Sequence, residues 1–506
     1  MENLVSVKHS TEKPLGNKCL NCGECQQYCK VLDTLTDSDA TQTCEWPKRI
    51  LTEDELIENA SNPELARHVA DCLFNVLATG NKIQQNLHEK GSELSVAYTA
   101  QRNIFNAHFD LWQQFGKAAQ EGREITDIEV DFFAEKLTDT VEQASTDIRS
   151  AGVAYETLAL AQAIHDRETL EDHGLLFDDA MLKTVTELCV NVTSGRSTLL
   201  IGDKGIAKTQ AAKFVSGLFT DNGEPKVISG DGSMMKDEFM GKMTLTEQNG
   251  ATVTTFKHGI LTECMEKGIP LVMDEINLID PAIVMRLQDI LLRKPGDKVT
   301  IQEDSGEVIT IKQGFCVLAT ANEASSRYQS RAALDPAFRD RFRILPIEYP
   351  DGDTVMLQAN DRPTSLARLA HAFVVSRNGI SSERVSAADA LWLASISHAS
   401  QQLYSKPAKD VQTGQLGNNV ASVVDDGEPR MSDCITPRKM VDILQTIDTG
   451  LNPYNRESGV EGLALDTIAA MQHASDRETM FEIVRLMYDG DIADLDETAI
   501  RNRLRI

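Results

Sequence analysis

The chain has 506 residues, of which 41% are hydrophobic and 25% are charged, and its formal net charge is −27. This length exceeds one typical domain, so we expect three or four domains of ordinary soluble composition. Because so acidic a surface repels phosphate backbones and anionic lipids, sequence-independent binding of nucleic acid or of a membrane surface is disfavoured.

The first residues, MENLVSVKHS, lack the basic segment and the long apolar segment of a secretory signal peptide. No apolar run in the sequence reaches the length that spans a bilayer. We therefore predict a cytoplasmic protein without a membrane partner, in which the cysteines are mostly reduced.

Residues 1–50 are rich in cysteine and poor in aliphatic periodicity. The run KCLNCGECQQYCK matches the bacterial ferredoxin spacing C-x2-C-x2-C-x3-C. The candidate metal ligands of this segment are Cys19, Cys22, Cys25, Cys29 and Cys44. A single [4Fe–4S] cluster would take the first three, with Cys29 or Cys44 as the fourth ligand.

Lys30 stands where ferredoxins usually carry a proline, and there is no second cysteine run for a second cluster. Four thiolates equally suit tetrahedral Zn²⁺, and a segment without metal is the third alternative. The other cysteines are scattered, and we expect most of them to be small buried apolar residues: Cys72, Cys189, Cys264, Cys316 and Cys434.

Residues 51–175 are predicted to be helical, because apolar residues recur there at helical spacing. The two runs consist of Ile104, Phe105, Phe109, Leu111, Trp112 and Phe115, and then Ile128, Phe132, Phe133 and Leu137. This pattern predicts amphipathic helices that pack on one another or on a partner.

Residues 176–350 alternate short β-rich runs with helical ones, which predicts an α/β core with a parallel sheet flanked by helices. The predicted strands are STLLIG, PKVISG, IPLVMDE, GFCVLAT and FRILPIEY. Residues 351–506 are again predicted to be helical, with a mobile loop near 405–431 where the sequence is polar.

The first predicted strand leads through a glycine-rich turn into a helix. The turn, Gly202, Asp203, Lys204, Gly205, Ile206, Ala207, Lys208 and Thr209, matches G-x-x-x-x-G-K-[ST] except at Ala207. Backbone N–H groups and the helix dipole at such a turn attract phosphate. We therefore predict ATP and Mg²⁺ as cofactors, with Lys208 on the β- and γ-phosphates and Thr209 on Mg²⁺.

Polar residues end two further strands. Asp274 and Glu275 follow an apolar strand, where Asp274 would hold Mg²⁺ and Glu275 would activate the attacking water. Asn322 ends the next predicted strand and would orient that water.

Candidate phosphate-contacting arginines lie at the start of the last predicted strand and in the C-terminal region. Arg339, Arg341 and Arg343 are closely spaced, and an arginine from a neighbouring subunit can stabilise charge that develops on a γ-phosphate. Arg438 follows Pro437 at a predicted helix start and could bring a second cation to the phosphates.

The order of these motifs, over residues 176–450, resembles AAA+ ATPases of the MoxR and dynein-related (midasin-like) branch. The loop GIAKT is usual in that branch, and so are two predicted hairpins. The first hairpin turns at Asn249-Gly250, and the second pairs KVTIQ with EVITIK.

The resemblance implies an AAA+ P-loop core with a C-terminal helical lid. It makes Lys208 and Thr209 the Walker A residues, Asp274 and Glu275 Walker B, Asn322 sensor 1, Arg341 the arginine finger (Arg339 less so) and Arg438 sensor 2. It also implies a homo-oligomeric ring, typically a hexamer, and a partner bearing a von Willebrand A domain.

The predicted function is ATP hydrolysis that drives remodelling, maturation or metal insertion in a partner protein, similar to the ATPase subunit of cobaltochelatase. Two alternatives are a redox or metal-carrier protein gated by the ATPase, and a nucleic-acid motor of the GTP-driven restriction type. The sequence does not distinguish ATP from GTP.

Overall fold

The computed structural model describes residues 86–153, 155–230, 239–248, 251–279, 281–301, 306–322, 334–350, 365–380, 382, 384–405, 431–450, 459–486 and 497–506. The predicted metal ligands Cys19, Cys22, Cys25, Cys29 and Cys44 lie outside the described residues, and so do residues 406–430 of the predicted loop. The chain forms two compact units. The sheet unit comprises residues 104–141 and 173–348, and the helical unit comprises 142–172, 349–506 and the described residues up to 103.

Strands occur where short apolar runs alternate with turns. In chain order they are β1 (Thr198–Ile201), β2 (Lys226–Ser229), β3 (Gly241–Gln248), β4 (Ala251–His258), β5 (Leu271–Asp274), β6 (Lys298–Ile301), β7 (Glu307–Thr310), β8 (Val317–Ala321) and β9 (Arg343–Pro346). Five of them form one sheet in the order β2-β5-β8-β1-β9, and every pairing in it is parallel. The parallel sheet and its five predicted strands are thereby confirmed, and the carboxyl ends of β5, β8 and β1 lie side by side.

The helices, in chain order, are α1 (Glu93–Gln120), α2 (Asp127–Ala151), α3 (Tyr155–His173), α4 (Asp179–Thr193), α5 (Lys208–Leu218), α6 (Ile260–Lys267), α7 (Pro281–Ile290), α8 (Pro336–Arg339), α9 (Ser365–His371), α10 (Ala387–Ser405), α11 (Pro437–Asp448), α12 (Gly459–Ala469), α13 (Ala474–Leu486) and α14 (Glu497–Leu504). Among the helices described, none is long and apolar enough to cross a membrane.

The sheet is buried on both faces, as parallel sheets require. Successive strand residues point to opposite faces, so Leu200 and Leu318 join an apolar cluster with α1, α4 and α5. Leu199 and Ala319 join a second cluster with α6 and α7. The two clusters hold the strand ends in fixed register.

Helix α1 is part of the core of the sheet unit. Leu111, Trp112 and Phe115 are buried in the same cluster as Leu200 and Val272 of the sheet. The helical periodicity predicted here is confirmed, and its apolar face packs on the α4–α5 side of the sheet.

Two antiparallel hairpins stand beside the main sheet. Gln248 pairs with Ala251 at the end of β3–β4, and Lys298 pairs with Thr310 in β6–β7. Both hairpins expected from the sequence are confirmed.

In the helical unit, α3 is joined to C-terminal helices by ion pairs. Arg368 of α9 donates from Nε to Asp166 Oδ2 at 3.0 Å and from Nη2 to Asp166 Oδ1 at 2.8 Å. These two side chains are almost fully buried, and Arg167 donates to Asp448 of α11 at 2.9 Å. The described C-terminal residues are largely helical, as predicted.

Candidate active site

The glycine-rich turn between β1 and α5 adopts a left-handed backbone at two positions. Gly205 has φ of 78°, and Ala207, which precedes the first residue of α5, has φ of 62°. For a residue with a Cβ this conformation costs about 1–2 kcal/mol, which explains why the general motif prefers glycine where this chain has Ala207. The turn leads into the N-terminus of α5, and the first N–H groups of a helix, which have no acceptor within the helix, suit an anion.

Gly202 opens the turn against the end of β9. A Cβ at this position would lie 2.0 Å from the carbonyl oxygen of Ile347, so only glycine allows the strand to pass this closely. Ile347 N–H in turn donates to Ile201 O at 2.8 Å, which extends the β1–β9 pairing beyond the strands.

Lys208, the first residue of α5, is folded back over the turn. Its Nζ donates to Gly202 O at 2.8 Å and to Asn322 Oδ1 at 3.1 Å, and it also donates to Asp203 O. The side chain is 7% exposed, so a positive charge lies inside the turn at the helix N-terminus. Burial of this ammonium with neutral oxygens favours an anion as its further partner.

Asp274 at the end of β5 accepts two hydroxyl groups on one oxygen. Thr209 Oγ1 and Thr320 Oγ1 each donate to Asp274 Oδ1 at 2.6 Å. Thr209 belongs to α5 and Thr320 to β8, so the carboxylate lies where three elements meet. A carboxylate beside a hydroxyl is the oxygen donor set that Mg²⁺ prefers, so these residues fit the predicted ion.

Glu275 has a strained backbone and a defined side-chain partner. Its φ of 51° is left-handed, and its N–H donates to Thr320 Oγ1 at 3.0 Å. Asn322 Nδ2 donates to Glu275 Oε1 at 3.3 Å. Non-glycine residues held in this conformation cost about 1–3 kcal/mol and cluster at functional sites.

The structure thus brings the predicted acidic, amide and ammonium groups together. Asn322 contacts both Lys208 and Glu275, while Thr209 contacts Asp274. Sequence reasoning missed Thr320 and Gly230, whose N–H donates to Asp274 O at 2.8 Å. The available signal was a hydroxyl in the otherwise apolar run CVLATA of a buried strand.

The candidate arginines lie in different surroundings. Arg339 ends α8 and is exposed, whereas Arg341 is half-buried and its Nη1 is buried without a hydrogen-bond partner among the described residues. Arg343 is exposed, with Nε 3.6 Å from Glu187 Oε1. Arg438 is exposed near the start of α11 in the helical unit.

The described cysteines are unsuited to metal binding or redox chemistry. Cys189, Cys264, Cys316 and Cys434 are buried free thiols, as the sequence predicted for most of the scattered cysteines. Burial raises the pKa of Cys264 to about 12 and also raises the pKa values of Cys189 and Cys316. Within the described ranges no group of three or more His, Cys, Asp or Glu residues could hold a metal ion.

Residues 197–342 match the family model of the AAA domain (dynein-related subfamily). This segment is similar to AAA domains of the dynein-related subfamily. It spans the strands β1 to β8, the glycine-rich turn and the site residues from Gly202 to Arg341. The fold class predicted for the core is therefore confirmed as an AAA fold with a five-stranded parallel sheet.

Curated bacterial proteins are similar to about a third of this chain. The uncharacterized protein YojN of Bacillus subtilis is 30% identical over 183 residues, which are 36% of this chain and 55% of YojN. The uncharacterized protein SSP1341 of Staphylococcus saprophyticus is 29% identical over 161 residues, 31% of this chain and 57% of that protein. The chain spans little more than half the length of these curated relatives.

Solved structures of NtrX from Brucella abortus are also similar. The structure in complex with ADP has 10% sequence identity and a TM-score of 0.33, and the match covers 73% of this chain and 79% of that one. A second NtrX structure has 12% identity and a TM-score of 0.30, with coverage of 73% and 80%. At these TM-scores the similarity does not bear on function.

Proposed function

We propose that the AAA domain of this chain hydrolyses a nucleoside triphosphate, ATP in the first place, with Mg²⁺ as cofactor. The observation that carries this proposal is the convergence of Lys208, the Thr209–Asp274 pair and the Asn322–Glu275 pair at one edge of the sheet. An ammonium, a metal-type oxygen pair and a carboxylate held by an amide are the groups that phosphoryl transfer to water requires.

Phosphate binding is assigned to the turn and to Lys208. The N–H groups of residues 202–209 would surround the phosphate oxygens, and the α5 dipole adds to their attraction. The Lys208 ammonium, now satisfied by carbonyl and amide oxygens, would exchange some of these neutral partners for charged phosphate oxygens. The exchange is favourable because charge-assisted hydrogen bonds are about twice as strong as neutral ones.

Thr209 and Asp274 are the residues that would hold Mg²⁺. When bound, the ion supplies neutralisation of phosphate charge during transfer. Thr320 keeps the Asp274 carboxylate in place through its own hydrogen bond at 2.6 Å.

Glu275 is assigned as the general base and Asn322 as the residue that orients it. The Glu275 carboxylate would accept the proton of the attacking water, and the Asn322 amide, which donates to Glu275 Oε1, would orient that carboxylate. The contact of Asn322 with Lys208 couples this pair to the phosphate-binding group.

The remaining assignments are the candidate arginines, a homo-oligomeric ring and a partner protein. We propose Arg341 as the finger that completes the site of a neighbouring subunit, because it stands in the Asp-Arg-Phe motif of the branch that the sequence resembles. Arg339 is the alternative finger, and Arg438 the cation from the helical unit. Hydrolysis in a homo-oligomeric, typically hexameric, ring would then drive remodelling, maturation or metal insertion in a partner protein, in keeping with the MoxR-branch resemblance.

The decisive experiment compares the full chain with Lys208→Ala and Glu275→Gln in ATP and GTP turnover and in binding of a fluorescent ATP analogue. We expect Glu275→Gln to retain binding and to lose turnover by about two orders of magnitude or more, because general-base catalysis contributes on this scale. Lys208→Ala should lose binding as well. Glu224→Gln, an exposed carboxylate of the same unit, is the matched control and should behave as the wild type.

Wild-type turnover in Glu275→Gln would refute the assigned base. Turnover stimulated strongly by DNA or RNA would favour the nucleic-acid motor instead. A mixture of inactive Arg341→Ala and inactive Lys208→Ala chains should regain activity, because one intact site then meets one intact finger. Failure to regain activity would place the finger elsewhere.

A further inference from the structure

Thr320 is the buried residue that contacts both acidic positions of the site. Its side chain is on β8 and is 1% exposed. The hydroxyl donates to Asp274 Oδ1 at 2.6 Å and accepts from the Glu275 N–H at 3.0 Å. One oxygen atom therefore links the carboxylate of the first acid to the backbone of the second.

The two hydrogen bonds of this hydroxyl are mutually compatible and fix its orientation. A threonine hydroxyl has one proton to donate and lone pairs to accept, so donation to Asp274 and acceptance from Glu275 occur together. The proton is committed to the carboxylate because the Glu275 N–H cannot accept. Buried as it is, the hydroxyl makes these bonds without competition from bulk water.

The backbone at Glu275 is clamped from both sides. Thr320 accepts its N–H, and on the other side Gly230 N–H donates to Asp274 O at 2.8 Å. A Cβ at Gly230 would lie 2.3 Å from Glu275 O, so the neighbouring strand end passes directly against this turn. A glutamate with a left-handed backbone is strained, and such a conformation persists only where several surrounding contacts hold it.

We propose that Thr320 is a positioning residue for hydrolysis. It aims the Asp274 carboxylate at the metal position and holds the Glu275 backbone in the conformation that directs its side chain to Asn322. The inference rests on the proposed function, and it extends that function to a residue that acts through Asp274 and Glu275.

The test uses two substitutions that separate the hydroxyl from the shape of the side chain. Thr320→Val keeps the volume and removes the hydroxyl, whereas Thr320→Ser keeps the hydroxyl. We expect Thr320→Val to lower kcat by about 10- to 100-fold and to raise the Mg²⁺ concentration at half-maximal activity, since a hydrogen bond to a charged group is lost. Thr320→Ser should remain within about threefold of the wild type in both.

Thr198→Val is the matched control. Thr198 is a fully buried threonine of β1 in the same sheet, and its hydroxyl makes one long bond, 3.4 Å to Arg196 O. If the Thr320 hydroxyl only stabilised the fold, Thr320→Val and Thr198→Val should have equal effects on kcat. If it positions the site residues, kcat should fall in Thr320→Val alone. Equal kcat in folded Thr320→Val and wild type would overturn the proposal.

A second measurement does not depend on turnover. Hydrogen exchange at single-residue resolution should show the Glu275 amide of the wild type protected, and about tenfold or more faster in Thr320→Val or, if that variant does not fold, Thr320→Ala. The Met273 amide in β5 should not change. An unprotected Glu275 amide in the wild type would overturn the proposal. Absence of any nucleotide turnover with a protected amide would refute the proposed function, and Thr320 would then hold the Glu275 backbone without a role in hydrolysis.

Discussion

Trp112 on α1 offers a quantitative test of how far the sheet unit extends beyond the AAA segment. Its side chain has no exposed surface and lies among residues of the sheet and of α4 and α5. Its Nε1 donates to Thr186 Oγ1 at 2.9 Å. If α1 is part of this core, then Trp112→Ala should destabilise the unit that carries the proposed nucleotide site.

The magnitude follows from two contributions. A tryptophan buries about 150–250 Å² of surface, and at about 25 cal/mol per Å² this corresponds to about 4–6 kcal/mol as an upper bound. The lost hydrogen bond adds at most about 1 kcal/mol, because Thr186 Oγ1 still donates to Leu182 O at 2.8 Å and is not orphaned. We expect Trp112→Ala to lower the free energy of unfolding by about 4 kcal/mol, in line with other large-to-small core changes.

The assay is urea unfolding followed by circular dichroism, with two comparison variants. Trp112→Phe retains most of the ring and should lose only about 1–2 kcal/mol. Phe132→Ala on α2 removes an aromatic residue that is 60% exposed and should cost about 0.5 kcal/mol or less. A loss below about 1 kcal/mol in Trp112→Ala, or equal losses in Trp112→Ala and Phe132→Ala, would refute the assignment of α1 to this core.

Three further predictions concern strain, a buried ion pair and pH. Ala207→Gly should raise the free energy of unfolding by about 0.5–1 kcal/mol in thermal melts, because relief of the left-handed alanine exceeds the added entropy of an unfolded glycine. Asp166→Asn should cost about 3–5 kcal/mol in urea unfolding, since it leaves the buried Arg368 without its counter-charge. Burial lowers the pKa of His371 from 6.5 to about 4. Between these pH values the unfolded chain binds a proton at this histidine and the folded chain does not. The free energy of unfolding is therefore highest above pH 6.5 and falls as the pH is lowered toward 4. That loss is about 3 kcal/mol, measured as the pH dependence of urea unfolding.

A contrary outcome or a comparison variant tests each of these three stability predictions. A less stable Ala207→Gly would show that the alanine Cβ makes contacts worth more than the strain. Asp172→Asn, in the solvent-exposed pair with Arg377 at 2.9 Å, should cost less than about 1 kcal/mol, and an equal cost for Asp166→Asn would contradict the burial argument. The loss of stability between pH 6.5 and pH 4 should be smaller in His371→Gln and unchanged in His473→Gln, an exposed histidine.

The edge of the sheet that carries the proposed catalytic site was predictable because its signals are local. A glycine-rich turn before a helix, and carboxylates at the end of an apolar strand, can be placed in the fold without knowledge of anything else. The parallel sheet then brings Lys208, Asp274 and Asn322 together, because carboxyl ends of neighbouring strands share one edge. Thr320 was not predictable, since a threonine in a strand is compatible with simple packing and only its two hydrogen bonds reveal another role.

Helical periodicity, by contrast, shows that a helix buries one face and does not show against what. In the structure α1 buries Trp112 in the sheet unit, while α3 pairs Asp166 with Arg368, which lies 202 residues later in the chain. Helix α1 has 28 residues and α3 has 19, and the packing partners of both are fixed by contacts with residues distant in sequence. A charge such as that of Asp166 on a helix is exposed by default, so a prediction from sequence treats it as solvated. Its burial against Arg368 depends on the tertiary fold, and the pair joins α3 to α9 within the helical unit.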